Sequence, residues 1–268
     1  MPSQANLAID WRAGYGPIAH RSETIERMQA LVQRLVAQRR IADEASAHAL
    51  LAAADRVACT AMSVVAHMTY ARRIDRSGCP LGSDDFKQTP EGHTGGSLNM
   101  VPAFVGYLLA NALTGTTRGW LMGQGHCVAA IEAVNALTGD VSAAQRGRYD
   151  RSEAGLSRLI ADFYSYAIDK QGRPAVPLGS HAGPNTAGAI SEGGYLGFAG
   201  LQYVHTPLPG ESLVAFLSDG AFEEQRGSDW APRWWRAEDC GFAIPVMILN
   251  GRRIEQRTQI VQEGGATW

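Results

Sequence analysis

Two short apolar runs in the second half of the sequence each stop at an oxygen-bearing side chain followed by glycine. One run, Leu213–Leu217, ends at Ser218-Asp219-Gly220, and the other, Ile244–Leu249, ends at Asn250-Gly251. Runs of this length and composition predict buried β-strands. Asp219 and Asn250 are 31 positions apart, which leaves room for one helical crossover between parallel strands. The two runs therefore favour an α/β fold with a parallel sheet.

The same two strand ends also indicate a chemistry. A carboxylate and a carboxamide with glycine beside each suit a hard divalent cation that holds phosphate oxygens. Asp-Gly and Asn-Gly are equally common in plain turns, so Asp219 and Asn250 alone leave both interpretations open. The rest of the chain decides between them.

Composition excludes several classes of function. The 268 residues carry a net charge of −2, with 45% apolar and 19% charged residues. This balance predicts a sizeable core and gives no electrostatic reason to expect binding to nucleic acid or to an anionic membrane.

Cysteine spacing and hydropathy bear on the compartment. The four cysteines are scattered and form no CxxC pair, which fits a reducing cytoplasm and argues against both a zinc site and a disulfide framework. The N-terminus lacks the profile of a signal peptide. The most apolar stretch, Met100–Leu113, is interrupted by Pro102 and is shorter than a bilayer span. We therefore expect a cytoplasmic protein with no membrane partner.

Helices precede an alternation of strand, glycine turn and helix. Apolar residues at steps of three and four predict helices over 23–39 and 43–75. Next, a helix is predicted to start near Ser97, which can cap it, and a strand to span Gly119–Met122. Three further helices are predicted: one that ends at Leu137, one over Glu153–Tyr166 and one that starts at Ser191. This order predicts a helical lead-in, 1–80, and an α/β domain, 81–268, whose ligands bind at the carboxyl ends of the strands.

Three of the seven histidines lie on glycine-rich turns at predicted strand or helix ends. His93 lies in Gly92–Gly96, His126 follows Gly125, and His181 lies in Gly179–Pro184. Glycine lets the backbone approach a ligand, a helix N-terminus attracts phosphate, and histidine moves protons near neutral pH. A single loop histidine is usually a surface residue, but three in the same setting indicate a site. The other four histidines are predicted to be structural.

Six segments, read in order, establish a resemblance. They are EGHTGGSLN, LMGQGHCVAA, SEAGL, GSHAGPNTAGAISEGG, SDGAFEE and PVMILNGRRI. They resemble the N-terminal domain of the phosphoketolases, which carry GHWGTTPGLN, MGPGHGGPA, DEAGL, SHxAPETPGSIHEGG, GDGEAE and PILHLNGYKI in the same order. The similarity spans about residues 85–260, and its collinearity argues against chance.

The resemblance implies a thiamine diphosphate-binding fold of the diphosphate-domain type and a role for each matching residue. The implied catalytic residues, which line the cofactor and sugar-phosphate site, are His93, His126 and His181. The implied cofactor-binding residues are Gly125, Gly220, Glu192, Gly193 and Gly194. The implied metal ligands, for Mg²⁺ or Ca²⁺, are Asp219, Asn250 and the backbone carbonyl of Arg252.

The sequence also departs from the family pattern. Ser191 replaces the histidine of HEGG, and Ser218 replaces the first glycine of Gly-Asp-Gly, which is tolerable only at negative φ. Cys127 and Val128 replace two glycines after the second histidine, and Thr94 replaces an aromatic residue. The cofactor pattern is therefore kept better than the substrate-contacting pattern, and the substrate need not be one of the usual ketose phosphates.

The resemblance implies a thiamine diphosphate-dependent enzyme that cleaves a carbon–carbon bond of a ketose phosphate, a lyase of carbohydrate metabolism. The superfamily places its cofactor between a diphosphate domain and a pyrimidine domain, and only the first is recognisable here. We expect the domain at 81–268 to be incomplete and to obtain the pyrimidine half from a longer chain or a second subunit, as a homodimer when complete. The chain alone is not expected to turn over.

Three other interpretations remain. Ketol transfer or sugar-phosphate isomerisation or epimerisation would use the same cofactor. A non-catalytic or regulatory subunit would fit the changes at Ser191 and Ser218. A Rossmann-type nucleotide binder is weakly supported, because the sequence has neither GxGxxG after a strand nor GxxxxGK[ST].

Overall fold

A computed structural model describes residues 11–122, 125–176, 210–220, 241–252 and 257–258. Three sequence predictions lie outside these ranges. They are the histidine loop with His181, the Glu192-Gly193-Gly194 segment and the helix predicted from Ser191.

The described part of the chain contains a three-stranded parallel sheet. Its strands are β1 (Gly119–Met122), β2 (Ser212–Ser218) and β3 (Phe242–Ile248), in the spatial order β1-β2-β3. Met122 pairs with Phe216, and Ser218 pairs with Ile248, so β2 is hydrogen-bonded on both edges. The α/β fold with a parallel sheet flanked by helices is confirmed, and all three carboxyl ends lie at one edge of the sheet.

Six α-helices accompany the sheet in the described residues. They are α1 (Ser22–Ala37), α2 (Glu44–Tyr70), α3 (Thr94–Thr114), α4 (Val128–Thr138), α5 (Ala143–Arg146) and α6 (Glu153–Asp162). Short 3-10 turns occur at Ser83–Asp85 and at Gly125–Cys127, the second leading directly into α4. The lead-in is helical as predicted, and α5 is an element that the sequence analysis did not predict.

Helix α3 begins earlier than predicted and uses a different cap. Ser97 was expected to cap it, but the helix starts at Thr94 with His93 as the N-cap residue. His93 Nδ1 accepts a hydrogen bond from the Gly96 N–H at 3.1 Å, which satisfies one of the free amides of the first turn. Ser97 is fully buried in the first turn of the helix, and its hydroxyl has no hydrogen-bond partner within the described ranges.

Two helices end before their predicted limits because the chain turns away. Helix α2 was predicted to reach residue 75, but Ala71 is extended and pairs with Phe86 in an antiparallel bridge. Helix α6 was predicted to reach Tyr166, but Tyr164 and Tyr166 adopt φ of 61° and 53°, outside the right-handed helical region. Apolar periodicity continues past both ends, so it could not locate them.

The core is built where α2, α3 and α4 pack together and α3 meets the sheet. Phe216 of β2 is fully buried and lies 6.2 Å from Phe104 and 6.1 Å from Tyr107, both on α3, between ring centroids. Trp120 of β1 joins this cluster, 5.1 Å from Phe104. These edge-to-face contacts fix the position of α3, and therefore of His93, relative to the strands.

Helices α2 and α3 are each long and apolar enough to cross a membrane by length and composition alone. The apolar stretch predicted to be too short for a span belongs to a helix of 21 residues, since α3 starts at Thr94. Met68 of α2 and Met100 of α3 are fully buried in one core cluster, so in this fold both helices pack against protein.

Candidate functional site

Parallel pairing brings the two predicted metal ligands to neighbouring positions. Asp219 directly follows β2, and Asn250 follows β3 after one intervening residue. The Gly251 N–H donates to Asp219 Oδ2 at 2.8 Å, so the two strand ends are joined through the carboxylate. Asp219 and Asn250 therefore lie at the ends of neighbouring strands, on the same edge of the sheet.

The Asp219 carboxyl group is buried and accepts hydrogen bonds from three donors in the described residues. Its side chain is fully buried, and besides Gly251 it accepts from the Gly220 N–H at 3.0 Å and from the Thr258 hydroxyl at 3.0 Å. Within the described ranges, no cationic side chain forms an ion pair with it. A buried carboxylate without a counter-charge is costly, and a divalent cation would supply that charge.

The remaining acceptor positions fit such a cation. Among the described residues, Asp219 Oδ2 takes two hydrogen bonds and Oδ1 takes one, so donors in that part of the chain leave a lone pair on Oδ1. Asn250 Oδ1 accepts one bond there, from the Arg252 N–H at 3.0 Å, which likewise leaves a lone pair. Carboxylate and carboxamide oxygens with free lone pairs are ligands that Mg²⁺ and Ca²⁺ prefer.

Glycine at position 251 is required by the turn that carries Asn250. Gly251 has φ of 73°, a left-handed conformation that residues with a Cβ rarely adopt. Ser218, in contrast, is the last residue of β2 and is not among the non-glycine residues with positive φ. The serine in place of the first family glycine therefore causes no backbone strain.

Two of the three predicted catalytic histidines lie together. His93 precedes α3, and His126 lies in the 3-10 turn between β1 and α4. Their ring centroids are 4.1 Å apart at an interplanar angle of 65°. His126 follows the carboxyl end of β1, so it lies at the same edge of the sheet as Asp219 and Asn250.

Burial keeps both imidazoles neutral at pH 7. The pKa of His126 is lowered to about 4, mainly by burial and also by the proximity of His93. The pKa of His93 is lowered as well, again mainly by burial. His126 Nδ1 is buried and finds no hydrogen-bond partner in the described part of the chain. A neutral pair of this kind can accept a proton or a hydrogen bond from a ligand.

Glycine 96 leaves room for the histidine pair. A Cβ at Gly96 would lie 2.5 Å from His93 Nδ1 and 2.8 Å from Cys127 Sγ, closer than real Cβ atoms come. Cys127 is buried, and burial raises the pKa of its thiol well above the usual range. The thiol therefore occupies the space beside the histidines that the family glycine would leave open.

Gly92 and Tyr164 close the other side of His93. A Cβ on Gly92, which has φ of 130°, would lie 2.5 Å from Tyr164 Cε2. Burial raises the pKa of Tyr164 to about 12, so its phenol stays protonated. The adjoining pocket of about 480 Å³ is lined by Tyr164, Lys87, Glu91 and Arg72, among others.

Sequence analysis did not find Thr258 or Tyr164. Thr258 lies in a polar stretch without any motif, and only the fold brings its hydroxyl to Asp219, 39 positions away. Tyr164 was predicted to be inside a helix, and nothing in the sequence indicates its left-handed φ of 61°.

The other predicted site residues differ in exposure. Arg252 is exposed and pairs through its backbone with Arg257, while Gly220 is buried.

Comparison with known proteins finds similarities that extend over most of the chain. The model of the XFP N-terminal domain matches residues 46–263. A "Probable phosphoketolase" of Bifidobacterium animalis subsp. lactis is 28% identical over 186 residues, covering 67% of this chain and 21% of the relative.

Two further relatives show a similar level of sequence identity to this chain. "Probable phosphoketolase 2" of Lactiplantibacillus plantarum is 27% identical over 192 residues, 69% of this chain and 22% of the relative. A "Probable phosphoketolase" of Schizosaccharomyces pombe is 32% identical over 117 residues, 41% of this chain and 13% of the relative. The chain thus spans about a fifth of the length of the first two curated relatives it matches.

Proposed function

The chain belongs to the XFP N-terminal domain family as a divergent member, and from this premise we propose that it forms the thiamine diphosphate- and Mg²⁺-binding half of a phosphoketolase-like enzyme. The family supports a lyase-type enzyme. The substrate would be a ketose phosphate, and the reaction would cleave a carbon–carbon bond.

The observation that carries the proposal is the pairing of Asp219 and Asn250 at adjacent strand ends. Asp219 is buried without a counter-charge in the described residues, and both side chains keep a free oxygen lone pair. In the proposal these oxygens bind Mg²⁺, together with the backbone carbonyl of Arg252. Plain turns would not need an uncompensated carboxylate at 0% exposure.

Thiamine diphosphate, when bound, would supply the carbanion that attacks the ketose carbonyl. Gly220 and Gly125 lie at turns after β2 and β1, where backbone can approach a diphosphate. Glu192, Gly193 and Gly194 are proposed to contact the cofactor as well, on the family resemblance alone.

His93 and His126 are proposed to bind substrate hydroxyls and to move protons. Both imidazoles are neutral at pH 7, and no described residue hydrogen-bonds the buried His126 Nδ1, so it can accept a hydrogen bond from a sugar hydroxyl. His181 is proposed to act beside them on the family resemblance.

The proposed active site needs a second half. We infer that a pyrimidine-binding domain, from the same longer protein or from a second subunit, closes the edge of the sheet at which Asp219, Asn250 and His126 lie. A homodimer and a cytoplasmic location are part of the same proposal.

A second candidate function is a non-catalytic or regulatory subunit. The observation in its favour is Cys127, whose buried thiol fills space beside His93 and His126 where the family has glycine. Ketol transfer to an acceptor sugar, or sugar-phosphate isomerisation or epimerisation, would use the same residues without the phosphate step.

A product assay separates these functions. The natural full-length protein, with thiamine diphosphate and Mg²⁺, is incubated with xylulose 5-phosphate and inorganic phosphate. Acetyl phosphate is the expected product, and the variant His126→Gln is expected to lower kcat by about a hundredfold or more, a typical contribution of a proton-transferring group. No turnover with bound cofactor would favour the non-catalytic subunit, and a transferred ketol unit or an isomerised sugar would favour the others.

A further inference from the structure

Beside the oxygen ligands of the sheet edge, a second group of metal-ligating side chains comes together at the start of α3. One potential ligand atom from each of His93, His126 and Cys127 lies within 4.8 Å of the other two. His126 and Cys127 are buried and His93 is half-buried. Two imidazoles and a thiol are the ligands of soft and borderline metals, not of Mg²⁺.

A second observation points to a ligand at this group. His126 is 9% exposed, and its buried Nδ1 atom has no hydrogen-bond partner among the residues that the structure describes. Buried polar atoms without partners are rare in folded proteins, because desolvation then goes uncompensated. A metal ion bound to the imidazole would provide that compensation.

We propose that His93, His126 and Cys127 form a binding site for a thiophilic divalent metal, of which Zn²⁺ is the natural example. The spacing of cysteines in the sequence argued against a zinc site. That rule detects ligands that are neighbours in one motif, whereas here the fold brings one ligand from the start of α3 to two from the turn before α4.

The geometry needs only a local adjustment. Tetrahedral zinc with bonds of about 2.0–2.3 Å places its ligand atoms about 3.5 Å apart, so the three atoms would approach one another by about 1 Å. His93 would give up the hydrogen bond that its Nδ1 accepts from Gly96 or turn its ring. The free energy lost with this one helix-cap hydrogen bond is small compared with the free energy gained from the metal–ligand bonds. On binding, Cys127 would release its thiol proton to solvent.

Two consequences distinguish this site from the one at Asp219. It binds the metal through nitrogen and sulfur, so Mg²⁺ does not compete for it. It also occupies the imidazoles that the proposed reaction uses, so a bound Zn²⁺ would block them. The site itself does not depend on the proposed function.

Cobalt spectroscopy tests the site without any turnover. Co²⁺ is titrated into the metal-free, reduced full-length protein. One equivalent is expected to produce intense visible d–d bands and a near-ultraviolet thiolate-to-cobalt charge-transfer band. Added Zn²⁺ is expected to displace Co²⁺ and abolish both kinds of band, whereas added Mg²⁺ is expected to leave both unchanged. Absence of stoichiometric Co²⁺ binding would overturn the proposal.

Three variants assign the ligands. Cys127→Ser is expected to remove the charge-transfer band, whereas Cys79→Ser, which alters an exposed cysteine, is expected to keep it. His93→Asn retains a side-chain acceptor for the helix cap but removes the imidazole, and is expected to weaken Co²⁺ binding by at least about tenfold. Circular dichroism checks that each variant folds. If Cys127→Ser does not fold, the Co²⁺ affinity of His93→Asn decides whether the site exists. Unchanged spectra and affinity in these two ligand variants would refute the site.

Discussion

Two neighbouring glycines in the first turn of α3 differ in the space around them. A Cβ at Gly96 would collide with His93 and Cys127, whereas a Cβ at Gly95 would have no atom within 4 Å. Both residues are helical, so any difference between their alanine variants reports packing. This contrast makes the histidine pair accessible to a simple stability experiment.

Gly96→Ala is expected to lower the free energy of unfolding by about 1–3 kcal/mol, since the new methyl overpacks the site. Gly95→Ala is expected to raise it by up to about 1 kcal/mol, since alanine is the better helix former. Urea unfolding of the two variants and the parent measures both changes. Equal effects of the two substitutions would show that His93 and Cys127 do not lie against Gly96.

His126 makes the stability of the protein depend on pH. Its pKa is lowered to about 4 in the folded state, against about 6.5 in the unfolded chain. The unfolded state therefore takes up a proton first as the pH falls. The contribution of the neutral His126 imidazole to the free energy of unfolding is therefore complete above pH 6.5. It is lost as the pH falls from 6.5 to 4, in total about 3 kcal/mol.

His126→Gln is expected to flatten the fall in stability over that pH window. Urea unfolding at a series of pH values, with a chelator present, gives the curves for parent and variant. The free energies of unfolding of the parent and of His126→Gln should approach each other as the pH falls. Curves that stay parallel from pH 7 to pH 4 would mean that the imidazole is not buried in the neutral form.

At the level of the elements, contact between α3 and β2 holds the site in position. Phe216→Ala removes the ring that packs against Phe104 and Tyr107 and should cost about 3–5 kcal/mol. Phe242→Ala, on the neighbouring strand, removes a ring that is 68% exposed and should change stability by less than about 0.5 kcal/mol. Denaturant unfolding compares the two. Similar losses for both would contradict the described packing of β2.

The strands were predictable from sequence, whereas helix ends and contacts between distant segments were not. Apolar runs that stop near glycine located β1 to β3 within two residues, and the spacing of Asp219 and Asn250 predicted that β2 and β3 are parallel. The start of α3 was misjudged because a serine is the commoner cap, while the histidine that takes this role was considered only for chemistry.

The rest of the site depends on contacts across the fold. The Thr258 hydroxyl reaches Asp219 only because the loop after β3 returns to the sheet edge. Cys127 was noted as a departure from glycine, but its proximity to His93 follows from how α3 and α4 pack. Pairwise proximity of this kind has no local sequence signal.

At the scale of the molecule, the described sheet presents one functional edge. His126, Asp219 and Asn250 follow the carboxyl ends of three parallel strands, where ligands of α/β folds bind. The chain spans about a fifth of its first listed phosphoketolase relatives. We therefore propose that it forms one wall of an active site and that a further domain supplies the other.

The proposed metal–diphosphate site is tested by calorimetric titration of the natural full-length protein with thiamine diphosphate, with and without Mg²⁺. We expect Mg²⁺-dependent binding that Asp219→Asn and Asn250→Ala each weaken by at least about tenfold, since each removes a metal ligand. Asp84→Asn makes the same chemical change at an exposed carboxylate and should leave binding unchanged. Absence of binding, or binding equally strong in all three variants, would contradict the assignment of Asp219 and Asn250 as the metal–diphosphate site.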